Sequence, residues 1–239
     1  MMVPLPSVLR LIDMIYKNIK PAIFIDRPNR FIANVCIDGK TEVCHVKNTG
    51  RCRELLIPGA RVFVQQSDNP NRRTKYDLIA VYKDDILINI DSQAPNKVFG
   101  EWLQKGGYFA DVTTVKPECK FGDSRLDFYF EYGGRCAFAE VKGVTLERDG
   151  VFLFPDAPTE RGVKHLKELC RCVDAGFDAY AVFVIQAEAA RYFTPNNETH
   201  PAFADALKYA AHRGVKILCL CCNVTPESLE IKEFVSTQI

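Results

Sequence analysis

Residues 124–142 constrain the fold of this chain more than any other stretch, because they write a β-hairpin with two like charges facing each other. Two strand-like runs, 124–132 and 135–142, flank Gly133-Gly134. A two-residue hairpin turn needs positive φ at its central positions, and glycine adopts it without steric cost. With the glycines as the turn, Tyr132 faces Arg135, and counting back sets Asp127 opposite Glu140. A four-residue loop keeps the same pairing. Side chains alternate along a strand, so Lys142 shares the face of Glu140. Directly opposed β-carbons lie about 4.5–5.5 Å apart, and like charges there destabilise a sheet. A divalent cation between the two acids would remove that penalty.

The donor chemistry fits such an ion. Mg²⁺ and Mn²⁺ prefer carboxylate oxygens, keep several waters and often share their shell with a substrate phosphate. Asp127 and Glu140 supply the carboxylates, with the Val141 carbonyl as a further ligand. Lys142 is placed to orient a metal-associated water and to steady charge on a phosphoryl oxygen. An aspartate, twelve intervening residues and Glu-x-Lys form the pattern of the PD-(D/E)xK nuclease core. Glu-x-Lys alone is common; across a hairpin from an aspartate it carries more. The competing reading is a solvated face with an ordinary Glu–Lys pair.

With 239 residues the chain has room for one or two domains and a sizeable core. Its net charge of +1 gives no global polyelectrolyte signature, but the charge is uneven. Residues 1–88 carry 14 Lys/Arg against 9 Asp/Glu, whereas 89–239 carry 17 against 21. Phosphate affinity therefore leans on the first part. Ten cysteines make neither a disulfide framework nor a zinc set: most sit in apolar runs, and the CxxC of Cys219 and Cys222 has no second pair. No secretory signal or apolar stretch of membrane-spanning length is evident, so a cytoplasmic protein without membrane attachment is expected.

Apolar residues at helical spacing (Val8, Leu11, Ile12, Ile15, Ile19) predict an amphipathic helix over about the first 20 residues. Short strands follow at 22–25, 31–37, 41–46, 60–66, 76–82 and 86–89, divided by turn signals such as Asp38-Gly39 and Pro58-Gly59. That density predicts a small OB-like β-barrel over 1–88, a recurrent nucleic-acid module. Arg51, Arg53, Arg72, Arg73 and Lys75 lie in its loops as candidate DNA contacts, as does Arg125 on the hairpin. From 89 to 239 the pattern is α/β (α+β in layout): helices at 95–105, 159–175 and 200–213 interleave with strands at 109–120, 180–186 and 215–224, giving a mixed sheet with helices on its faces. In 154–166, Thr159 reads as an N-cap, and Arg161, Lys164 and His165 recur at helical spacing, able to converge on a phosphodiester.

Several strings together resemble the sugar fermentation stimulation protein A (SfsA) family. They are Phe31-Ile-Ala-Asn-Val35, His45-Val-Lys-Asn48-Thr49-Gly50, Ser124-Arg-Leu-Asp127-Phe128, Glu140-Val-Lys-Gly-Val-Thr-Leu146, Phe154-Pro-Asp-Ala157, Thr159-Glu-Arg-Gly-Val-Lys-His-Leu166 and Ala202-Phe-Ala-Asp-Ala-Leu207. The resemblance runs from about residue 23 to 229. It implies an OB-like domain joined to a restriction-endonuclease-like PD-(D/E)xK domain, with Asp127, Glu140 and Lys142 as the catalytic set. Glu101 falls where a helical acid of that core reaches a metal. The expectation is a DNA-binding protein with Mg²⁺- or Mn²⁺-dependent nuclease activity, a homodimer being one possible form. The alternatives are a non-catalytic DNA-binding regulator of sugar metabolism that retains the scaffold, and an RNA or small-ligand binder.

Overall fold

The computed structural model describes residues 14–48 and 50–239. Six strands come first: β1 (Ile19–Asn29), β2 (Ile32–Ile37), β3 (Lys40–Val46), β4 (Arg61–Gln66), β5 (Tyr76–Lys83) and β6 (Ile86–Asn89). Antiparallel pairings β3-β2-β1-β4-β5 are closed into a ring by a parallel pairing of β3 with β5. The result is a five-stranded closed barrel, to which β6 is appended. Closure leaves the ring without a free strand edge. Strict alternation in β2 sends Ala33, Val35 and Ile37 inward, where they meet Phe24, Val62, Val64 and Leu78.

The helix predicted at the start lies mostly outside the described residues. Where its positions are described, the chain is not helical: Ile15 bridges to Ser228, Asn18 turns at φ +56° and Ile19 opens β1. The backbone here finds partners in the second half of the molecule, with Tyr16 N donating to Glu227 O at 2.7 Å. Those partners outweigh the local helical spacing.

The second unit runs α1 (Ala94–Gln104), β7 (Val112–Phe121), β8 (Ser124–Tyr132), β9 (Arg135–Val144), β10 (Leu146–Arg148), β11 (Val151–Phe154), α2 (Glu160–Asp174), β12 (Asp178–Ile185), β13 (Tyr192–Pro195), α3 (Pro201–His212), β14 (Lys216–Val224) and β15 (Leu229–Phe234). Its main sheet has the order β15-β14-β12-β9-β8-β7, with β12 parallel to both neighbours and the remaining pairs antiparallel. β10, β11 and β13 form a small separate sheet that the sequence reading did not contain. α1 buries Val98, Phe99 and Leu103 with Phe128, Ala139 and Val141 on one side of the main sheet. α2 buries Leu166 and Leu169 with Leu126 and Phe138 on the other. Thr159 caps α2, its hydroxyl accepting from Gly162 N at 3.1 Å, a bond of about 1 kcal/mol. Among the described residues no helix is long and apolar enough to cross a membrane.

The two units meet through a buried polar joint. Asn89 N donates to Gln186 O at 2.9 Å, and Gln186 Nε2 donates to Asn89 Oδ1 and Asp91 O, both at 3.0 Å. Asp91 Oδ1 accepts from Gln93 N at 3.0 Å, where α1 begins. The barrel thus fixes the start of the helix that reaches the acid pair.

Within the barrel, Arg72 grips the buried Asp77 with both guanidinium ends (2.7 and 2.6 Å), while Lys47 and His45 approach at 3.5 and 3.3 Å. Burial opposes ionisation of Asp77, but these partners outweigh it and hold its carboxyl below the usual range. Asp77→Asn is expected to cost about 1–2 kcal/mol in urea unfolding, less than a fully buried pair because Arg72 and Lys47 remain partly hydrated. The depressed carboxyl stabilises the fold above its unfolded value of about 4 and loses that contribution as pH falls through the folded value. The gap between wild type and variant should therefore close below about pH 4; an unchanged gap would refute the ion-pair account.

Candidate active site

The hairpin forms in the expected register. Gly133 and Gly134 sit at φ +51° and +75°, and the ladder runs from Tyr132↔Arg135 to Phe128↔Ala139. It stops one step short of Asp127 and Glu140, because the strands part there. Asp127 Oδ2 accepts from Val141 N at 2.8 Å, a side chain taking the place of the next backbone rung. In an antiparallel pair a residue's N–H and C=O face the same neighbour, so the Val141 carbonyl lies on the flank that carries Asp127. The parting also switches the face of β8: Phe128 joins the core under α1, and Leu126, two residues earlier, the core under α2.

Each acid is held by a different helix. Asn96 Nδ2, in the first turns of α1, donates to Asp127 Oδ1 at 3.0 Å. Glu140 Oε1 accepts from Lys142 Nζ at 2.5 Å and meets Nδ1 of His165 on α2. Arg161 Nε donates to His165 Nε2 at 3.4 Å. Arginine can only donate, so Nε2 is the acceptor and the ring proton lies on Nδ1, directed at Glu140. The other glutamate oxygen, Oε2, is buried with no hydrogen-bond partner. The two carboxyls respond in opposite senses. Burial, then the Glu140 charge, push Asp127 upward against its hydrogen bonds from Val141 and Asn96 and the nearby Lys142 charge. Burial also opposes ionisation of Glu140, yet His165 and Lys142 together bring its carboxyl below the usual range.

These groups suit a hard divalent cation. An unpartnered buried carboxylate oxygen beside a second, destabilised carboxyl is a deficit of positive charge. Among the described residues no cluster of three or more His, Cys, Asp or Glu side chains forms a complete protein cage. Mg²⁺-type sites do not need one, since such ions are held by one or two carboxylates and keep waters. Glu140 itself is only 4% exposed, and solvent reaches the pair through Asp127, which lines a groove with Gln93, Asn96 and Lys97. Gly143 closes the other side: a Cβ there would lie 2.5 Å from Gln186 Oε1 and 2.7 Å from Pro95 Cγ. A larger residue after Lys142 would push the start of α1 away from Asp127.

Three sequence expectations need correction. Glu101 is buried on α1, and its Oε2 accepts from Met14 N at 3.0 Å. It anchors the N-terminal segment, and Asn96 is the α1 residue at the acid pair. His165 is 5% exposed and its ring is taken up by Glu140 and Arg161, so it positions the site and does not contact DNA. Arg72 is engaged by Asp77. Of the remaining basic candidates, Arg51, Arg53, Arg73, Lys75, Arg161 and Lys164 are exposed, Lys75 over the Tyr76 ring, while exposed Arg125 pairs with Glu118 at 3.2 Å. Pro95 in the first turn of α1 was the available signal for Asn96, since it sets where the helix starts.

A closed OB-like barrel joined to a mixed sheet whose β8 and β9 part beside an acid pair defines the class: a two-domain protein of mixed α/β architecture. Family models described as "SfsA N-terminal OB domain" and "Sugar fermentation stimulation protein RE domain" match residues 25–90 and 93–228. The chain belongs to the SfsA family. Sugar fermentation stimulation protein homologs from Desulfitobacterium hafniense (strain Y51) and Clostridium beijerinckii are 61% and 57% identical over 226 and 222 residues. Those alignments take in 95% and 93% of this chain and 99% and 98% of the relatives. The solved structure of Pyrococcus furiosus SfsA in complex with Ca²⁺ superposes with a TM-score of 0.85 at 28% identity, covering 97% of this chain and all of that one.

His165→Leu removes a donor from a buried carboxylate and is expected to cost about 1–3 kcal/mol. The Glu140 carboxyl, followed by carbon-13 NMR, should then titrate at higher pH than in wild type. Since its depressed value stabilises the fold at neutral pH and loses effect on acidification, the variant should be less acid-sensitive than wild type. An unmoved Glu140 titration would contradict the assigned contact.

Proposed function

We propose that this chain binds DNA and hydrolyses phosphodiester bonds with a divalent cation, Mg²⁺ or Mn²⁺. The observation that carries this reading is the Asp127–Glu140 pair at the parting of β8 and β9, with Lys142 on one glutamate oxygen and the other oxygen unpartnered. Asp127, Glu140 and the Val141 carbonyl would hold the cation, which supplies Lewis acidity toward the phosphoryl group and lowers the pKa of a bound water. The chain's own groups do the rest. Asn96 and Val141 N fix the Asp127 carboxylate, and His165, oriented by Arg161, fixes Glu140. The Lys142 ammonium is placed to stabilise negative charge developing on a phosphoryl oxygen. Arg51, Arg53, Arg73, Lys75 and Lys164 supply phosphate contacts, which set register without reading sequence.

Two further points support the reading. The antiparallel β7–β9 meander followed by parallel β12, with α1 and α2 on opposite faces, has the layout of a restriction-endonuclease-like core. The Pyrococcus furiosus relative was solved with Ca²⁺, an oxygen-seeking ion like Mg²⁺. A second reading, a non-catalytic DNA-binding regulator, draws on a specific contact: the Lys142 ammonium already pairs with Glu140 Oε1, which His165 also meets, without a metal.

A digestion panel of duplex, single-stranded and branched DNA, titrated with Mg²⁺ and Mn²⁺, separates the two. Wild type should cut at least one substrate. Lys142→Ala should cut about 100-fold more slowly or worse, and Asp127→Ala should bind DNA without cutting it. Salt-sensitive binding with no cleavage under either metal would leave the regulator and remove the enzyme.

A further inference from the structure

The turn between β1 and β2 and the loop after β3 are tied together by one side chain. Arg27 donates from Nη1 to the carbonyls of Gly50 (3.0 Å) and Arg51 (2.8 Å), and from Nη2 to those of Arg30 and Asn48 (both 2.7 Å). A guanidinium's planar fork suits this use, because its donors are fixed relative to one another. Phe31 sits on the turn so held. Its N–H donates to Asn29 Oδ1 at 2.9 Å and its carbonyl accepts from Val46 N at 2.8 Å. The backbone is therefore pinned on both sides, while the ring is 46% exposed. The Arg30 guanidinium lies 4.8 Å from the ring centroid.

Arg30, Arg51 and Arg53 are all exposed, and no ion pair among the described residues engages them. With Arg27 they line a cleft of about 420 Å³, the size of a small-ligand site. No acidic side chain lines it. Of the two acids nearby, Asp156 accepts from Arg51 N at 2.8 Å, and burial pushes the Glu54 carboxyl upward, toward its neutral form. Gly50 also borders a second cavity, of about 170 Å³, at the junction of the two domains. The far wall of that cavity includes Gly143, the residue after Lys142. Gly50 thus joins the arginine cleft to the cavity at the domain junction.

We infer that this cleft holds single-stranded DNA, with Phe31 stacked on an unpaired base and Arg30, Arg51 and Arg53 on the flanking phosphates. The inference rests on the DNA-binding reading above and narrows its substrate to strands with unpaired bases. A rigid exposed aromatic ring beside cations matches what unpaired bases require: every base has a stacking face, and duplex pairing hides it. Arginine serves phosphate by its fork and the neighbouring ring by cation–π contact.

The test is fluorescence anisotropy in EDTA, where cleavage plays no part, with a labelled 20-nucleotide strand and the same sequence as duplex. Wild type should favour the single strand. Phe31→Ala should weaken single-strand binding about tenfold and leave duplex binding within about twofold. Replacing Arg30, Arg51 and Arg53 by Gln should flatten the plot of log affinity against log salt on the single strand by about 2 units. If Phe31→Ala binds the single strand as wild type does, or weakens on both forms alike, the inference falls and DNA binding stands. If wild type binds neither form, the DNA-binding reading falls with it.

Discussion

A negative charge kept ionised inside the protein is the constraint on which the rest of this structure depends. Glu140 is on a central strand, almost without solvent, where an unpaired carboxylate would take up a proton. It remains below the usual carboxyl range because Lys142 comes from its own strand and His165 from α2. Both meet the same oxygen. The second oxygen is left without a partner, and the Glu140 charge, after burial, pushes the Asp127 carboxyl upward. A sheet with such a pair is less stable than one with two apolar residues, and the surrounding layers hold it in place. The antiparallel hairpin sets the register, the parting of β8 and β9 exposes Asp127, and helices from opposite faces supply Asn96 and His165.

The barrel is part of that arrangement. Asp91, in the segment leaving β6, takes the first amides of α1, and Gln186 at the end of β12 ties the same segment to the sheet. The position of Asn96 therefore follows from the seam between the two domains. The contact of Arg51 N with Asp156 adds a second link beside the cavity at that seam. Mutations in the segment 89–93 should be felt at the acid pair, although the hydrogen bonds to Asp127 come from Asn96 and Val141.

Local rules carried much of this into the sequence. Gly133-Gly134 fixed the hairpin and its register, because one residue of slip would have turned every buried side chain of β9 to the opposite face. Thr159 marked the start of α2, and turn residues spaced the barrel strands. What local rules miss is rotation and burial. Glu101 and Asn96 lie on one helix, five residues and about 140° apart, and the acid was the more conspicuous residue while the amide faced the site. Arg161, Lys164 and His165 share a helical stripe, but the sheet meets that stripe at its edge, so His165 is buried and the other two are not. Arg72 reads as a free loop cation until β5 brings Asp77 beneath it. The small sheet of β10, β11 and β13 is built from strands of three or four residues, too short to show a period.

The most direct test is Mn²⁺ binding followed by electron paramagnetic resonance of the free ion, in wild type and in Asp127→Asn. A cation joined to both carboxylates predicts saturable binding by wild type, competition by Mg²⁺, and at least a tenfold loss in the variant (about 1.4 kcal/mol). Equal Mn²⁺ binding by the two proteins, or none by wild type, would contradict the claim that Asp127 and Glu140 are held together for a metal.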